Sequence, residues 1–356
     1  TQDGGQVEVS MGPDGAVFLP GILEDAEVRV QALHAEATFK READQWHVPQ
    51  WQLKLTNADV QGEWHGKWQA AANGGGPGTL DLQGQIKQIN ASQAHRYLPV
   101  TLPANVRQYV RDAVVKGTYS DVQVKIKGDL ARLPFANPKE GEFRFAGKVK
   151  DVQYAYVPLS NPAPSRNTAP TPPSAIWPVM NAVNGDIVFD RLNFKVNNAS
   201  GKWGNVPFTQ IKAEIPKLNN KVVVLVQGES RTNAQLLLNE LRSSPVNNLL
   251  GNLFTQVQST GTLNTRLKLS LPLDELDKTS VQGGVVLNNN DVRLQTSLPV
   301  FEKALGAINF NESGFTLAGV NAQFLGGPLK LEGGSRKLPS NSTDANPVIR
   351  AQGQAT

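Results

Sequence analysis

The 356-residue chain contains no cysteine. That excludes a disulfide framework and thiolate metal sites, and leaves the compartment open, because an oxidising space tolerates cysteine-free proteins. No apolar run reaches the roughly 18 residues that suggest a membrane-spanning helix. Residues 1–20 lack the basic, apolar and small-residue order of a secretory leader. Charge of one sign is not concentrated: 35 Lys and Arg are dispersed among 31 Asp and Glu, for a formal net charge of +4. Nucleic-acid binding calls for a basic patch, and none is present. Histidine is scarce, and His34, His47, His65 and His95 fall in no metal-ligand spacing. There is no Gly-x-Ser-x-Gly elbow and no dinucleotide fingerprint. Gly141 to Lys148 approaches a phosphate loop, but the spacing is one residue too long and Val149 stands where Ser or Thr is needed. Asp186 and Asp190 have acid–base spacing, yet they flank strand residues beside turns, where a solvated role is expected.

What is present is alternation. Hydrophobic residues make up 39% and charged residues 19%, with Gly 32 and Pro 23, a balance that suits a turn-rich β protein. Trp51, Leu53 and Leu55 share one strand face, while Gln52 and Lys54 take the other. Val28 and Val30 alternate with Glu27 and Arg29. Gly74-Gly75-Gly76-Pro77-Gly78 marks a turn. Further alternating segments follow at 118–157, 187–196, 211–226, 263–271, 285–294, 315–317 and 329–331. Two helical blocks interrupt them. The first is predicted over 103–116, with Pro103 at its first position and Gly117 as its stop. Val106, Tyr109, Val110, Ala113 and Val114 form its apolar face. The second begins behind Asn233 as a cap for Ala234 to Leu241. Ser244-Pro245 breaks it and starts another helix. Val246, Leu249, Leu250, Leu253, Phe254 and Val257 then repeat at helical spacing. Seven prolines between Pro158 and Pro178 predict an exposed linker. Element order divides the chain into a β segment over 1–92, a helix-plus-β segment over 93–230 and a helical-block-plus-β segment over 231–356, expected to form one elongated architecture. The predicted class is mostly β: a long, curved antiparallel sheet with two short amphipathic helical blocks. Half-buried alternation argues for antiparallel pairing, since parallel strands read as unbroken apolar runs.

Arg96-Tyr97-Leu98-Pro99 before a helix, Leu133-Pro134-Phe135 followed by Gly141-Glu-Phe143, Trp177-Pro178, Ser244-Pro245 with its Leu-rich helix, and Gly326-Gly327-Pro328 after Phe324 occur in this order over about 300 residues. In that order the chain resembles the YhdP branch of the AsmA-like proteins. The resemblance implies a piece of a large Gram-negative envelope protein. It further implies a periplasmic location, an inner-membrane anchor through an N-terminal segment absent here, and β-structure linked to phospholipid movement toward the outer membrane. The partners implied are phospholipid and the two membranes, with no cofactor and no metal.

A non-enzymatic lipid conduit gives that implication physical content. Drawing about thirty methylenes into water costs roughly 24 kcal/mol at ~0.8 kcal/mol each, and an apolar sheet face replaces the lost environment. About twenty strands at ~4.8 Å would extend up to about 95 Å as one sheet. The residues expected to line this β-groove and hold acyl chains are Val122, Val124, Ile126, Phe143, Phe145, Val222, Val224, Val226, Leu267 and Leu269. The residues between them, including Gln123, Lys125, Arg144 and Lys268, suit a solvated face. The alternatives are a structural envelope protein whose apolar face is a closed core, and an enzyme acting on an envelope polymer. The proline-rich stretch yields a first test. A broad protease is expected to cut first within 158–178 and leave both flanks folded; initial cleavage within 118–128 or 221–228 would contradict the strand assignment.

Overall fold

Period-two alternation leaves each strand one apolar and one polar face, and antiparallel pairing brings like faces together. The computed structural model of the chain has this class of fold. It describes residues 3–42, 44–72, 74–100, 102–158, 177–218, 221–249, 252, 254–275, 278–336 and 348–354. Most of the proline-rich stretch, and Leu250, lie outside these residues.

In chain order the strands are β1 (Gly4–Met11), β2 (Gly15–Phe18), β3 (Glu27–Val30), β4 (Ala32–Glu42), β5 (Gln45–Thr56), β6 (Val60–Gln69) and β7 (Thr79–Asn90). A 3-10 turn (Ala91–Tyr97) and α1 (Ala104–Ala113) precede β8 (Val114–Asp129) and β9 (Gly141–Tyr154). There follow β10 (Met180–Asp190), β11 (Asn193–Trp203), β12 (Val206–Ile215), β13 (Val223–Asn233), α2 (Ala234–Ser243) and α3 (Pro245–Leu249). The chain continues through β14 (Gln258–Ser259), β15 (Thr262–Pro272), β16 (Ser280–Arg293), β17 (Phe301–Asn311), β18 (Gly314–Phe324), β19 (Gly327–Arg336) and β20 (Val348–Gly353). Eighteen of these strands are sheet strands of one antiparallel class, and β2–β3 is a separate hairpin.

The described residues pack as two units. The first holds 3–158, 182–196 and 216–218; the second holds 177–181, 197–215 and the described residues from 221 onward. Within the first, β1, β4, β5, β6, β7, β8 and β9 pair in succession. Within the second, β13 pairs β12 and β15, and the ladder runs on through β16, β17, β18, β19 and β20.

Both helical blocks differ in extent from their apolar spacing. Pro103 is the residue before α1 rather than its first turn, and the helix ends at Ala113, not Lys116. Val114 and Val115, both β-branched, open β8 instead. Gly117 lies inside that strand at φ +121°, where a Cβ would stand 2.6 Å from Val152 Cα. Asn233 caps α2 as its sequence predicts, its side chain accepting from Gln235 N and Leu236 N. The apolar period over 246–257, in contrast, is helical only through Leu249 among the described residues. Asn247 accepts from Phe254 N at 3.2 Å and also reaches Thr255. Arg242 donates to Phe254 O at 2.9 Å and to Val257 O. These contacts close a loop, with Asn252 at φ +60°, before a longer helix propagates.

Register slips mark several strands. They fall at Asp121 in β8, Gln210 in β12, Asn289 in β16, Lys303 in β17 and Gly319 in β18, each at φ between +49° and +61°. One left-handed residue per strand is a bulge, which bends the strand and moves the apolar set by one position. Aromatic rings cover glycines elsewhere. An added Cβ at Gly84 would meet Trp64 Cδ1 at 2.1 Å, one at Gly283 the Phe310 ring at 2.1 Å, and one at Gly141 the Phe135 ring at 2.9 Å. The glycines supply the room that lets the rings lie flat on the sheet. Gly84→Val is therefore expected to cost roughly 1–3 kcal/mol in urea denaturation. Gly12→Ala, with open space around the new Cβ, should cost far less; equal losses would contradict the ring-over-glycine packing.

Candidate functional site

Parity and register assemble three apolar rows across the first unit. The row nearest the 3-10 turn is Met11, Leu33, Leu55, Gly62, Ile86 and Val122. The next is Val9, Ala35, Leu53, Trp64, Gly84, Val124 and Phe145; the third is Val7, Ala37, Trp51, Gly66, Leu82, Ile126 and Phe143. Seven strands at ~4.8 Å make each full row about 29 Å long. Cover declines from row to row. Leu33, Ile86 and Val122 are buried in the first, whereas every third-row side chain is half-buried or exposed. Val60, Ile86, Val122 and Val124 form a closed core with Tyr97 and Tyr119 beside it. Phe143 packs edge-on against Phe145 and Phe189, at 5.2 and 5.6 Å between centroids.

The second unit repeats the arrangement. Thr232, Leu263 and Leu287 pair in one row, and Ser230, Thr265, Val285, Ile308 and Leu317 in the next. Gly228, Leu267, Gly283, Phe310 and Phe315 follow, then Val226, Leu269 and Val281, then Val224 and Leu271. The first of these rows is buried beneath Ala234 and Leu237 of α2, in a core shared with Val206, Ala304, Val320 and Ala322. From Gly228 onward the rows are half-buried.

The ten residues expected to contact acyl chains thus fall into two sets. Val122, Val124, Ile126, Phe143 and Phe145 share one face of the first unit. Val224, Val226, Leu267 and Leu269 share one face of the second, with half-buried Val222 just ahead of β13. Val122 and Val124 are buried at 5% exposure each, so they are core rather than open surface. The open part of each face is wider than the sequence pattern alone indicates. It includes Trp51, Leu53, Leu82, Phe310 and Phe315, which enter through register.

The opposite face is polar across all seven strands of the first unit. One row reads Glu8, Glu36, Gln52, His65, Gln83, Lys125 and Arg144. Gln52 Nε2 donates to Glu36 at 2.5 Å, Lys125 pairs with Glu142 at 2.6 Å, and Arg144 pairs with Asp190 at 3.2 Å. Asp190 also holds Arg191 at 2.6 Å, which occupies it structurally. Glu8, His34 and Glu36 bring three donor atoms within 4.8 Å of one another. His34 Nε2 lies 2.8 Å from Glu36 and Nδ1 3.9 Å from Glu8, so the two carboxylates face different ring nitrogens instead of converging on one. The hydrogen bond with His34 is the main cause holding the Glu36 carboxyl below its ordinary range.

Arg96-Tyr97 proves to be a clamp. Arg96 pairs with Asp25 at 2.5 Å and with Asp59 at 2.6 Å. Tyr97 Oη accepts from Asn57 Nδ2 at 3.0 Å, and burial raises its phenol. Together they pin the β2–β3 hairpin and the β5–β6 turn beside a concavity lined by Glu24–Gln31 and Asn57–Asp59. Its carboxylates Glu24, Asp25, Glu27 and Asp59 each pair with an arginine of the protein.

The family model described as YhdP protein matches residues 1–356. The chain is 22% identical over 262 residues to the intermembrane phospholipid transporter YhdP of Escherichia coli (strain K12). That alignment covers 71% of this chain and 18% of the relative, so the chain spans well under two thirds of that protein's length. No solved structure matches.

The burial gradient predicts unequal responses to one charge. Val122→Asp is expected to cost about 3 kcal/mol or more, because the carboxylate is buried without a partner. Ile126→Asp, on the half-buried row, should cost about 1 kcal/mol. Equal losses in urea denaturation would contradict the gradient.

Proposed function

The chain belongs to the YhdP family, and from that premise we propose that it is a non-enzymatic segment of a phospholipid conduit in a Gram-negative envelope. The observation that carries the reading is the half-buried apolar face of each unit, backed in the first unit by a polar row of matching length. Acyl chains lie against Ile126, Phe143 and Phe145 in the first unit and against Val222, Val224, Val226, Leu267 and Leu269 in the second. Val122 and Val124 form the floor beneath them. Headgroups stay in water, so each methylene that leaves the bilayer exchanges one apolar environment for another and avoids the ~0.8 kcal/mol of full exposure. Such transfer needs no bond-making group, which fits an apolar lining. The proposed location is the periplasm, with attachment to the inner membrane through a part of the longer protein outside this chain. Phospholipid passes between the inner and outer membranes.

A second reading, a structural envelope protein with a closed β core, draws on the buried residues beside α2 and the 3-10 turn. One variant separates the two. In the conduit, Val224→Asp leaves the fold intact, because the half-buried position reaches water, and strips the protein of co-purified phospholipid. In a closed core the same change unfolds the second unit. A folded variant that carries as much lipid as the parent, or a parent without lipid after gentle purification, would overturn the conduit.

A further inference from the structure

The apolar face of the second unit contains a buried hydroxyl. Ser230 and Thr265 are direct partners on β13 and β15, 3% and 8% exposed. Ser230 Oγ donates to Pro207 O at 2.7 Å. Thr265 Oγ1 is buried and meets no hydrogen-bond partner among the described residues. Its other cross-strand partner is Val285, and the row continues through Ile308 and Leu317. Valine has nearly the same shape and would suit that row without leaving a donor unsatisfied. The hydroxyl also sits at a boundary. Leu263 on one side is buried, whereas Leu267 and Leu269 on the other are half-buried.

We infer that Thr265 donates a hydrogen bond to the ester carbonyl of an acyl lipid held on this face. The inference rests on the conduit reading above. Successive residues on one strand face are ~6.8 Å apart. A chain lying over Leu269 and Leu267 therefore brings its carbonyl end to Thr265. In the proposed contact χ1 of Thr265 occupies a staggered well that aims the hydroxyl at the open rows. A carbonyl oxygen only accepts, which complements a hydroxyl whose proton is uncommitted. The contact sets the polarity of the guest: carbonyl toward the α2 side, methyl end toward Leu271.

The test compares a diacyl phosphatidylcholine with its dialkyl ether analogue of equal chain length, which lacks the carbonyl. Each is offered in detergent to the intact chain, and retained lipid is counted by native mass spectrometry. The parent should retain the ester lipid about fivefold better, the scale of one hydrogen bond. Thr265→Val should abolish the preference, and Thr265→Ser should keep it. Equal retention by the parent, or a preference that survives in Thr265→Val, would overturn the inference while leaving the conduit standing; the hydroxyl then serves only a buried water. Retention of neither lipid by the parent would sink the conduit reading and this inference with it. The ester–ether comparison on the parent needs no variant to fold.

Discussion

A strand must satisfy its backbone sideways, so its side chains have only two directions in which to point. In an antiparallel ladder that restriction propagates: once Leu53 faces Trp64 and Trp64 faces Gly84, the direction of Val124 and Phe145 is fixed as well. A slip of one residue in any strand would carry apolar side chains into the polar row from Glu8 to Arg144. Every other feature is subordinate to this register. The bulges at Asp121, Asn289 and Lys303 are tolerated because each shifts parity at a defined place. Lys303 N is met there by Asp291 Oδ1 at 3.0 Å, so the displaced backbone group is not orphaned. Glycines beneath Trp64 and Phe310 serve the same order, giving large rings room on a pleated surface.

The helical elements act on one end of these faces. Ala234 and Leu237 cover the row of Leu263 and Leu287, and Tyr97 flanks the core of Val60, Ile86 and Val122. Cover at one end and half-burial farther along give each unit both a stable core and an apolar surface. A uniformly closed face would leave no space for a guest, and a uniformly open one would leave little to hold the strands together. The proposed role in lipid passage depends on that graded burial, with no chemical group beyond it. The buried hydroxyl of Thr265, without a partner among the described residues, falls where the two regimes meet.

Much of this was legible in the sequence because alternation is local. Val122, Val124 and Ile126 share a face in any strand, and Asn233 ahead of Ala234 is a cap whatever lies nearby. Other features depend on residues distant in the chain. Arg96 announces nothing about Asp25 or Asp59, which lie 71 and 37 positions away. The period over 246–257 is helical in spacing, yet Asn247 and Arg242 draw its second half into a loop. Val114 and Val115 extend the apolar face of α1 by spacing and leave it by β preference. The bulges did leave a trace: Val285 and Leu287 are odd-numbered, Val292 even-numbered, and the change of parity marks Asn289 between them. Burial itself was not legible, since Val122 and Ile126 look alike in the sequence, yet Val122 is buried and Ile126 half-buried.

The central claim is that one face of each sheet, and not the other, holds acyl chains. A photo-crosslinking amino acid placed in turn at positions 223 to 227 tests it most directly, read by mass spectrometry of lipid attached to the purified chain. Attachment should alternate with the strand, strong from 224 and 226 and weak from 223, 225 and 227. Uniform attachment along the strand, or none from 224 and 226 in a folded protein that carries lipid, would contradict the account.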